Sequence, residues 1–266
     1  MIDKKRWARA AQALVEQRLS LTPIEALPES LRPRDESEGY MLQREVNRLL
    51  VEAGLGHAAG HKIGCTTPVM QAFLGIPNPC AGEVLAKGVL HRSANVPRSG
   101  FVKPGVECEI AVELARDIYP QDAPFTRESM VPAVGGVMAA IEIVDDRYRD
   151  YRTLGVPTLI ADDFFDCGCV LGEPITDWRR LDLPRLTGVT YVNGVEAGRG
   201  AGALVMEHPL EALAWLARSR AMRGSGLRKG AFVLLGSVVE TKWLDAGDEV
   251  RVEVEELGSL SLKVDP

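Results

Sequence analysis

The hydrophobic pattern at the start of the chain is that of two amphipathic helices. Apolar positions recur at helical spacing over residues 3–19, where Asp3 can serve as the N-cap, and again from Asp35 to Ala53. Glycines that follow Ala53 are expected to end the second helix. A proline-bearing connection separates the two segments, so we predict a small helical region over residues 1–56.

Beyond residue 56 the pattern changes to short apolar runs separated by Gly, Pro, Asn and Asp, which is typical of strands joined by turns. Strands are predicted near residues 60–65, 106–115, 136–144, 167–172, 186–192, 231–235, 249–254 and 258–264. Helices are predicted near 125–134 and in HPLEALAWLARSRAM, where Pro209 suits a first helical position. We therefore expect residues 57–266 to form one β-rich catalytic domain.

Composition and charge narrow the classes of function. Of the 266 residues, 46% are hydrophobic and 26% are charged, as expected for a globular protein. The 31 basic and 37 acidic residues give a formal net charge of −6, which argues against nucleic acid or an anionic membrane as a partner. We find no signal peptide or transmembrane segment, and the odd number of cysteines, five, favours a reduced, cytoplasmic protein.

The segment VECEIAVEL, residues 106–114, is the clearest predicted strand. Because side chains alternate between the two faces of a strand, Glu107 and Glu109 share a face and lie about 7 Å apart. Carboxylates at this spacing can turn toward one divalent cation. The same pattern also fits the solvated outer face of an antiparallel strand.

A third carboxylate, Glu142, lies in the apolar run GGVMAAIEIVDD. Burying an unpaired charge is costly, so Glu142 is expected to be paired, solvated or coordinated. Pairing with Arg147 is one explanation. We favour the other, in which Glu107, Glu109 and Glu142 bind one hard cation, Mg²⁺ or Mn²⁺. The four histidines lie away from these acids in the sequence, which argues against a zinc site.

Lys62 stands in GHKIGCTT, between two glycines. It could hold an anionic substrate or stabilise a developing enolate, and the alternative is an ordinary surface lysine. A search for a dinucleotide fingerprint is negative, because Gly198, Gly200 and Gly202 match only its first half.

Six blocks of sequence together indicate a family. They are GHKIGCTTPVMQAFLGI, VECEIAVEL, AAIEIVDDRY, ADDFFDCGCVLG, the VNG…G…HPLEALAWLA stretch and GAFVLLGSV. In this order they resemble the 2-keto-4-pentenoate hydratase and 2-oxo-3-hexenedioate decarboxylase branch of the fumarylacetoacetate hydrolase superfamily, over nearly the whole chain. The resemblance implies an α+β fold, namely a mixed β-sandwich or β-roll with a small helical N-terminal part, and assembly as a homo-oligomer, at least a dimer.

The resemblance also implies a set of site residues. The metal carboxylates of the family fall on Glu107, Glu109 and Glu142, and its active-site lysine falls on Lys62. Its substrate-contacting positions fall on Lys62, Asp162, Gly236 and Ser237.

Two segments depart from the family pattern. Residues 163–166 read Asp-Phe-Phe-Asp where Asn-Ala-Ser-Ser is expected, and residues 234–237 read Leu-Leu-Gly-Ser where Leu-Thr-Gly-Ser is expected. The metal carboxylates are unaffected, whereas the substrate pocket is expected to differ in size and polarity.

The implied chemistry is that of a small 2-oxo acid chelated by Mg²⁺ or Mn²⁺, with Lys62, Glu107 and Glu109 as catalytic residues. In a hydratase of aromatic or related catabolism, a 2-hydroxy-2,4-dienoate ketonises and adds water to give a 4-hydroxy-2-oxo acid. A 2-oxo-3-hexenedioate-type decarboxylase and an acylpyruvate C–C hydrolase are alternatives. The hydrolase requires a His–Glu pair, which the spacing of the histidines does not supply. A binding protein without catalysis is disfavoured because all four charged site residues are present.

Overall fold

The computed structural model describes residues 4–266. Its α-helices are α1 (Lys4–Leu19), α2 (Glu36–Leu50), α3 (Pro68–Leu74), α4 (Arg127–Met130), α5 (Val156–Ala161) and α6 (Pro209–Met222). Its strands are β1 (Ala58–Gly64), β2 (Cys80–Leu85), β3 (Val89–His91), β4 (Ser93–Pro97), β5 (Pro104–Leu114), β6 (Val134–Asp145), β7 (Asp166–Leu171), β8 (Thr187–Val192), β9 (Val195–Ala201), β10 (Phe232–Trp243), β11 (Glu249–Val254) and β12 (Gly258–Asp265). Within these residues, no helix is both long and apolar enough to cross a membrane.

Both predicted N-terminal helices form. The Asp35 side chain caps α2 by accepting a hydrogen bond from the Glu38 N–H. A π-helical turn follows α2, and its Gly54 has a φ of 91°, a left-handed conformation that glycine adopts at little steric cost. The predicted cap of α1, Asp3, lies outside the described residues.

The strands form two sheets. The first has seven strands in the order β2-β1-β10-β5-β6-β7-β3, and the second has five in the order β4-β12-β11-β8-β9. Three neighbouring pairs are parallel, namely β1 with β10, β3 with β7 and β4 with β12, and the other pairs are antiparallel. The predicted α+β fold with mixed sheets is confirmed.

The two faces of the seven-stranded sheet have different neighbours. One face, which includes Val106, Cys108 and Ile110 of β5, packs into the main core together with the second sheet and helices α1 and α2. The other face carries a smaller apolar cluster, made of Val84, Ala111, Met138, Ala140, Cys169, Leu171, Phe232 and Leu234. Because this cluster joins side chains of β2 to side chains of β7, the sheet curls into a roll with the cluster on its inner face.

The strands that the hydrophobic pattern does not predict share one property. They are β2, β3, β4 and β9, the outermost strands of the two sheets. Edge strands are often short and polar, and β9 (VEAGRGA) has no alternation of apolar and polar positions. Helices α3 and α5 were also not predicted, since each has only about two turns in which a helical period could show.

The glycines that match half of a dinucleotide fingerprint allow β9 to approach β10. A Cβ atom on Gly200 would lie 1.8 Å from the Val238 carbonyl oxygen, which is a severe clash with backbone. A Cβ on Gly198 would meet the Val239 side chain at 2.8 Å. These glycines therefore serve the packing of one sheet on the other.

We predict that Gly200→Ala destabilises the protein, because the added methyl group must push β9 away from β10. The free energy of unfolding should fall by about 1–3 kcal/mol, measured by urea denaturation. Gly100→Ala is the matched control, since a Cβ there meets only a Pro97 side-chain carbon at 3.7 Å. Equal stability of the two variants would contradict this account of the packing.

Candidate functional site

Antiparallel pairing brings the three predicted glutamates together. Glu107 of β5 lies directly opposite Glu142 of β6, and Glu109 follows on the same face of β5. One carboxylate oxygen from each residue lies within 4.8 Å of the others. Glu109 and Glu142 are both 0% exposed and Glu107 is half-buried, so the alternative of a solvated outer face is wrong.

The glutamate oxygens are suited to a hard cation. Oε1 of Glu109 and both carboxylate oxygens of Glu142 are buried without a hydrogen-bond partner. Such oxygens have lost water without gaining a hydrogen bond in return, which is costly unless a positive charge is close. Oxygen donors from three carboxylates fit Mg²⁺, Mn²⁺ or Ca²⁺, so the residues present fit a divalent cation site.

Lys62 supplies a positive charge at this cluster. It is only 3% exposed, so the alternative of a surface lysine is wrong. Its Nζ lies 3.1 Å from Glu142 Oε1 and donates a hydrogen bond to the Phe164 carbonyl oxygen at 3.0 Å. The other proposed partner of Glu142, Arg147, is instead paired with Asp162 at 2.6 Å.

Burial and neighbouring charges shift the pKa values of the cluster. Burial by itself lowers the pKa of Lys62, but the charges of Glu142, Glu107 and Glu109 outweigh it and raise the pKa above its ordinary value. Burial, together with the Glu107 charge, raises the pKa of Glu109 to about 7. Burial also raises the pKa of Glu142 well above its ordinary value, although Lys62 opposes the shift. Lys62 is therefore charged at neutral pH, whereas Glu109 and Glu142 take up protons more readily than exposed glutamates.

Strand β10 contributes backbone and hydroxyl groups beside Glu109. The Gly236 N–H donates to Glu109 Oε2 at 2.9 Å, and Gly236 has a φ of 123°. A Cβ on Gly236 would lie 2.5 Å from the Thr66 hydroxyl, so both conformation and space favour glycine here. The Ser237 hydroxyl donates to the backbone, where the carbonyl oxygens of Cys108 and Val239 are its acceptors. Substrate contact by Gly236 and Ser237 stays a prediction.

Asp162 does not join the cluster. Its fully buried carboxylate accepts hydrogen bonds from Arg147 Nε at 2.6 Å and from the Tyr148 hydroxyl at 2.9 Å, and it lies 3.5 Å from Arg18. No described contact joins it to Lys62 or to a glutamate of the site. The ion network at the end of α5 holds one oxygen of this carboxylate, while Oδ1 has no hydrogen-bond partner. Substrate contact by Asp162 stays a prediction.

Residues 163–165 form an unusual turn that sequence reasoning marked only as a departure from the family pattern. Asp163, Phe164 and Phe165 have φ values of 54°, 52° and 69°, so three successive non-glycine residues are left-handed. The Asp163 carboxylate fixes the turn by accepting from the Glu83 N–H at 2.9 Å and from Asn47 Nδ2 at 3.2 Å. The turn directs the Phe164 carbonyl oxygen at Lys62.

Asp166 is a further acidic residue beside the site that was not predicted. It is 2% exposed, its Oδ1 has no hydrogen-bond partner, and its charge acts on Lys62 and Glu142. Burial raises its pKa, although Arg18 and Lys62 oppose the shift. The sequence signal was the acidic side chain where the family pattern has serine.

We predict that cation binding to the metal-free protein is coupled to proton release. The glutamates must be ionised to coordinate a cation, and the pKa of Glu109 is about 7. The affinity for Mg²⁺ should therefore rise with pH through neutrality and fall below it, approaching about tenfold per pH unit for each proton displaced. Isothermal titration calorimetry in buffers of different ionisation enthalpy measures both the affinity for Mg²⁺ and the number of protons released. An affinity that is independent of pH across this range would contradict the buried, proton-binding state of the cluster.

Comparisons with known proteins identify the family and the fold of the chain. Residues 85–265 match the model of the fumarylacetoacetate (FAA) hydrolase C-terminal family. A 2-keto-4-pentenoate hydratase of Paraburkholderia phymatum is 32% identical over 260 residues, which cover 98% of each chain. A 4-oxalocrotonate decarboxylase of a Pseudomonas species is 30% identical over 222 residues, which cover 82% of this chain and 84% of the relative. Among solved structures, the 4-oxalocrotonate decarboxylase from Pseudomonas putida G7, complexed with magnesium and adipate, matches with a TM-score of 0.92 at 24% identity and covers 99% of both chains.

Proposed function

The chain belongs to the fumarylacetoacetate hydrolase family, and we propose that it is a hydratase that acts on a 2-hydroxy-2,4-dienoate of the 2-keto-4-pentenoate type. In this reaction the dienoate ketonises and one water molecule adds to the conjugated double bond, which gives a 4-hydroxy-2-oxo acid. The observation that carries the proposal is the cluster of Glu107, Glu109 and Glu142 with Lys62 on one face of a sheet.

The three glutamates are proposed to hold a divalent cation, Mg²⁺ or Mn²⁺, since both accept carboxylate oxygens. When bound, such a cation supplies Lewis-acid stabilisation of the enolate of a 2-oxo acid. The buried oxygens of Glu109 and Glu142 that lack hydrogen-bond partners support this assignment.

Lys62 is proposed to bind the anionic end of the substrate. Its raised pKa keeps Nζ protonated at neutral pH, so it acts as a fixed positive charge and not as a base. The hydrogen bond to the Phe164 carbonyl oxygen orients the ammonium group. Of the two roles expected for this lysine, charge neutralisation and proton transfer, the pKa direction favours charge neutralisation.

Asp166 is proposed to hold the proton that ketonisation requires. Its Oδ1 is buried without a partner, and burial raises its pKa, so the protonated form persists to higher pH than for an exposed aspartate. The charge of Asp166 contributes to the raised pKa of Lys62, which supports a role at the proposed site.

Decarboxylation is the second candidate, because a decarboxylase is among the relatives. A 2-oxo-3-hexenedioate carries a second carboxylate, which needs a counter-charge in the pocket. Arg18 and Arg147 are already paired with acids of the 162–166 segment, at 3.5 Å and 2.6 Å from Asp162 respectively. These pairings favour a substrate with a single carboxylate.

Acylpyruvate hydrolysis is disfavoured because the side chain of His61 points to the opposite face of the sheet from the site. A His–Glu pair does exist, since His61 lies opposite Glu83 on β2, but Lys62 is the next residue along β1. Neighbouring residues of a strand point to opposite faces, so His61 and Glu83 lie on the other side of the sheet from Lys62. Burial and the Arg220 charge also lower the pKa of His61 to about 4.

We predict that Glu142→Gln and Lys62→Met each lower kcat/KM for 2-hydroxypenta-2,4-dienoate by at least about 100-fold, because each removes a charge that the site needs at the reacting group. Loss of the dienoate absorbance gives the rate. Glu113→Gln is the matched control, since Glu113 lies on the same face of β5 but is exposed. Full activity of Glu142→Gln in chelated buffer would remove the basis for the proposal.

Product analysis separates the candidate reactions. Incubation with the monocarboxylate dienoate should give a 4-hydroxy-2-oxo acid, and incubation with the dicarboxylate should release no carbon dioxide. Release of carbon dioxide from the dicarboxylate, at a rate above that of hydration, would assign the chain to the decarboxylases.

We also propose three properties of the chain that do not depend on the reaction it catalyses. The chain is proposed to form a homo-oligomer, to be cytoplasmic and to divide at residue 56 into a helical region and a catalytic domain. Analytical ultracentrifugation measures the first. The described N-terminal helices share the main core with the sheets, so any such division leaves one continuous core.

A further inference from the structure

Strands β5 and β10 are paired, but the register of the pairing changes along their length. Leu234 lies opposite Ala111, whereas Lys242 lies opposite Val106, and the register shifts at three points between them. Each shift is a bulge that inserts an extra residue into β10 and re-aims the side chains that follow. Since Lys242 faces Val106, the residue before it, Thr241, comes to lie beside Glu107.

Strand β10 supplies a hydrogen-bond donor to each of the two glutamates that β5 contributes to the cluster. The Thr241 hydroxyl donates to Glu107 Oε1, and the Gly236 N–H donates to Glu109 Oε2 at 2.9 Å. Glu142, on the other side of β5, instead faces Lys62. The three glutamates are therefore held by three different groups.

The methyl group of Thr241 explains why its hydroxyl faces the glutamate. A Cβ atom on Gly105 would lie 3.1 Å from Thr241 Cγ2 and 2.8 Å from Trp243 Cε3, so these two side chains cover the glycine. Threonine has few χ1 rotamers, and packing of the methyl group against Gly105 selects the one that presents the hydroxyl to Glu107.

We propose that Thr241 is a positioning residue that holds Glu107 in its ligand conformation and thereby sets the affinity of the site for its divalent cation. The proposal rests on the cation site of the proposed function. Glu107 is half-buried, whereas Glu109 and Glu142 are fully buried, so packing constrains the Glu107 side chain least. The hydrogen bond to one oxygen removes rotamer freedom before binding and leaves the other oxygen free to coordinate.

The test is a titration of the metal-free protein with Mn²⁺, followed by calorimetry or by the electron paramagnetic resonance signal of free Mn²⁺. Thr241→Val keeps the shape and removes the donor, and its Kd should be about tenfold higher than that of the unchanged protein. Thr241→Ser keeps the donor and should stay within about threefold. Thr187→Val, a change on β8 of the second sheet, is the control and should leave the Kd unchanged.

Thermal unfolding distinguishes positioning from a structural role. Without metal, the midpoint of Thr241→Val should match that of the Thr187→Val control, whereas the rise of the midpoint on adding Mn²⁺ should be smaller. If Thr241→Val does not fold, Thr241→Ala and Thr241→Ser are compared in its place.

Two results would overturn the inference in distinguishable ways. An unchanged Kd in Thr241→Val, or equal Kd values in Thr241→Ala and Thr241→Ser, overturns the role of Thr241 and leaves the cation site intact. Failure of the unchanged protein to bind Mn²⁺ overturns the cation site itself.

Discussion

The structure depends on how a surplus of buried negative charge is balanced on one face of a sheet. Among the described residues there, Glu107, Glu109 and Glu142 share the single ammonium group of Lys62, and the charge of the nearby Asp166 is balanced in part by Arg18. In a weakly polarisable interior the ionised acids repel one another strongly, so without a cation the charge of the face is reduced by protonation of Glu109 and Glu142, whose pKa values are raised. Folding, proton uptake and cation binding are therefore linked through the same carboxylates.

The rest of the fold creates that face and holds its charges in place. The second sheet packs on the opposite side of β5 and β6, so the inner side of the roll is left to the small apolar cluster and the acids. The left-handed turn at 163–165 is a strained conformation, which persists because the Asp163 carboxylate and the Phe165 ring, 4.8 Å from the Tyr148 ring, fix it. The strain serves the site, since this turn provides the carbonyl acceptor for Lys62.

The sequence predicted the parts of the site that depend on local geometry. Alternation along a strand placed Glu107 and Glu109 on one face, and the cost of burying a charge singled out Glu142. Contacts that depend on register could not be predicted, because register follows from packing and not from any short segment. Thr241 reaches Glu107 only after three bulges in β10. Arg147 pairs with Asp162 and not with Glu142, because Arg147 and Asp162 belong to the same buried ion network. The four edge strands were missed for a related reason, because they form by pairing with a neighbouring strand and are not marked by a hydrophobic pattern within their own segments.

The protonation states of Lys62 and of the glutamates are coupled. The glutamates raise the pKa of Lys62, and Lys62 in turn opposes the upward shift of the Glu142 pKa. Any positive charge that the three glutamates take up weakens their attraction for the ammonium group, which lies 3.1 Å from Glu142 Oε1. Lys62 is then less tightly paired and has more of its charge available for an anionic substrate. The arrangement thus favours an order in which the glutamates are neutralised first and an anionic ligand, such as the proposed 2-oxo acid, binds second.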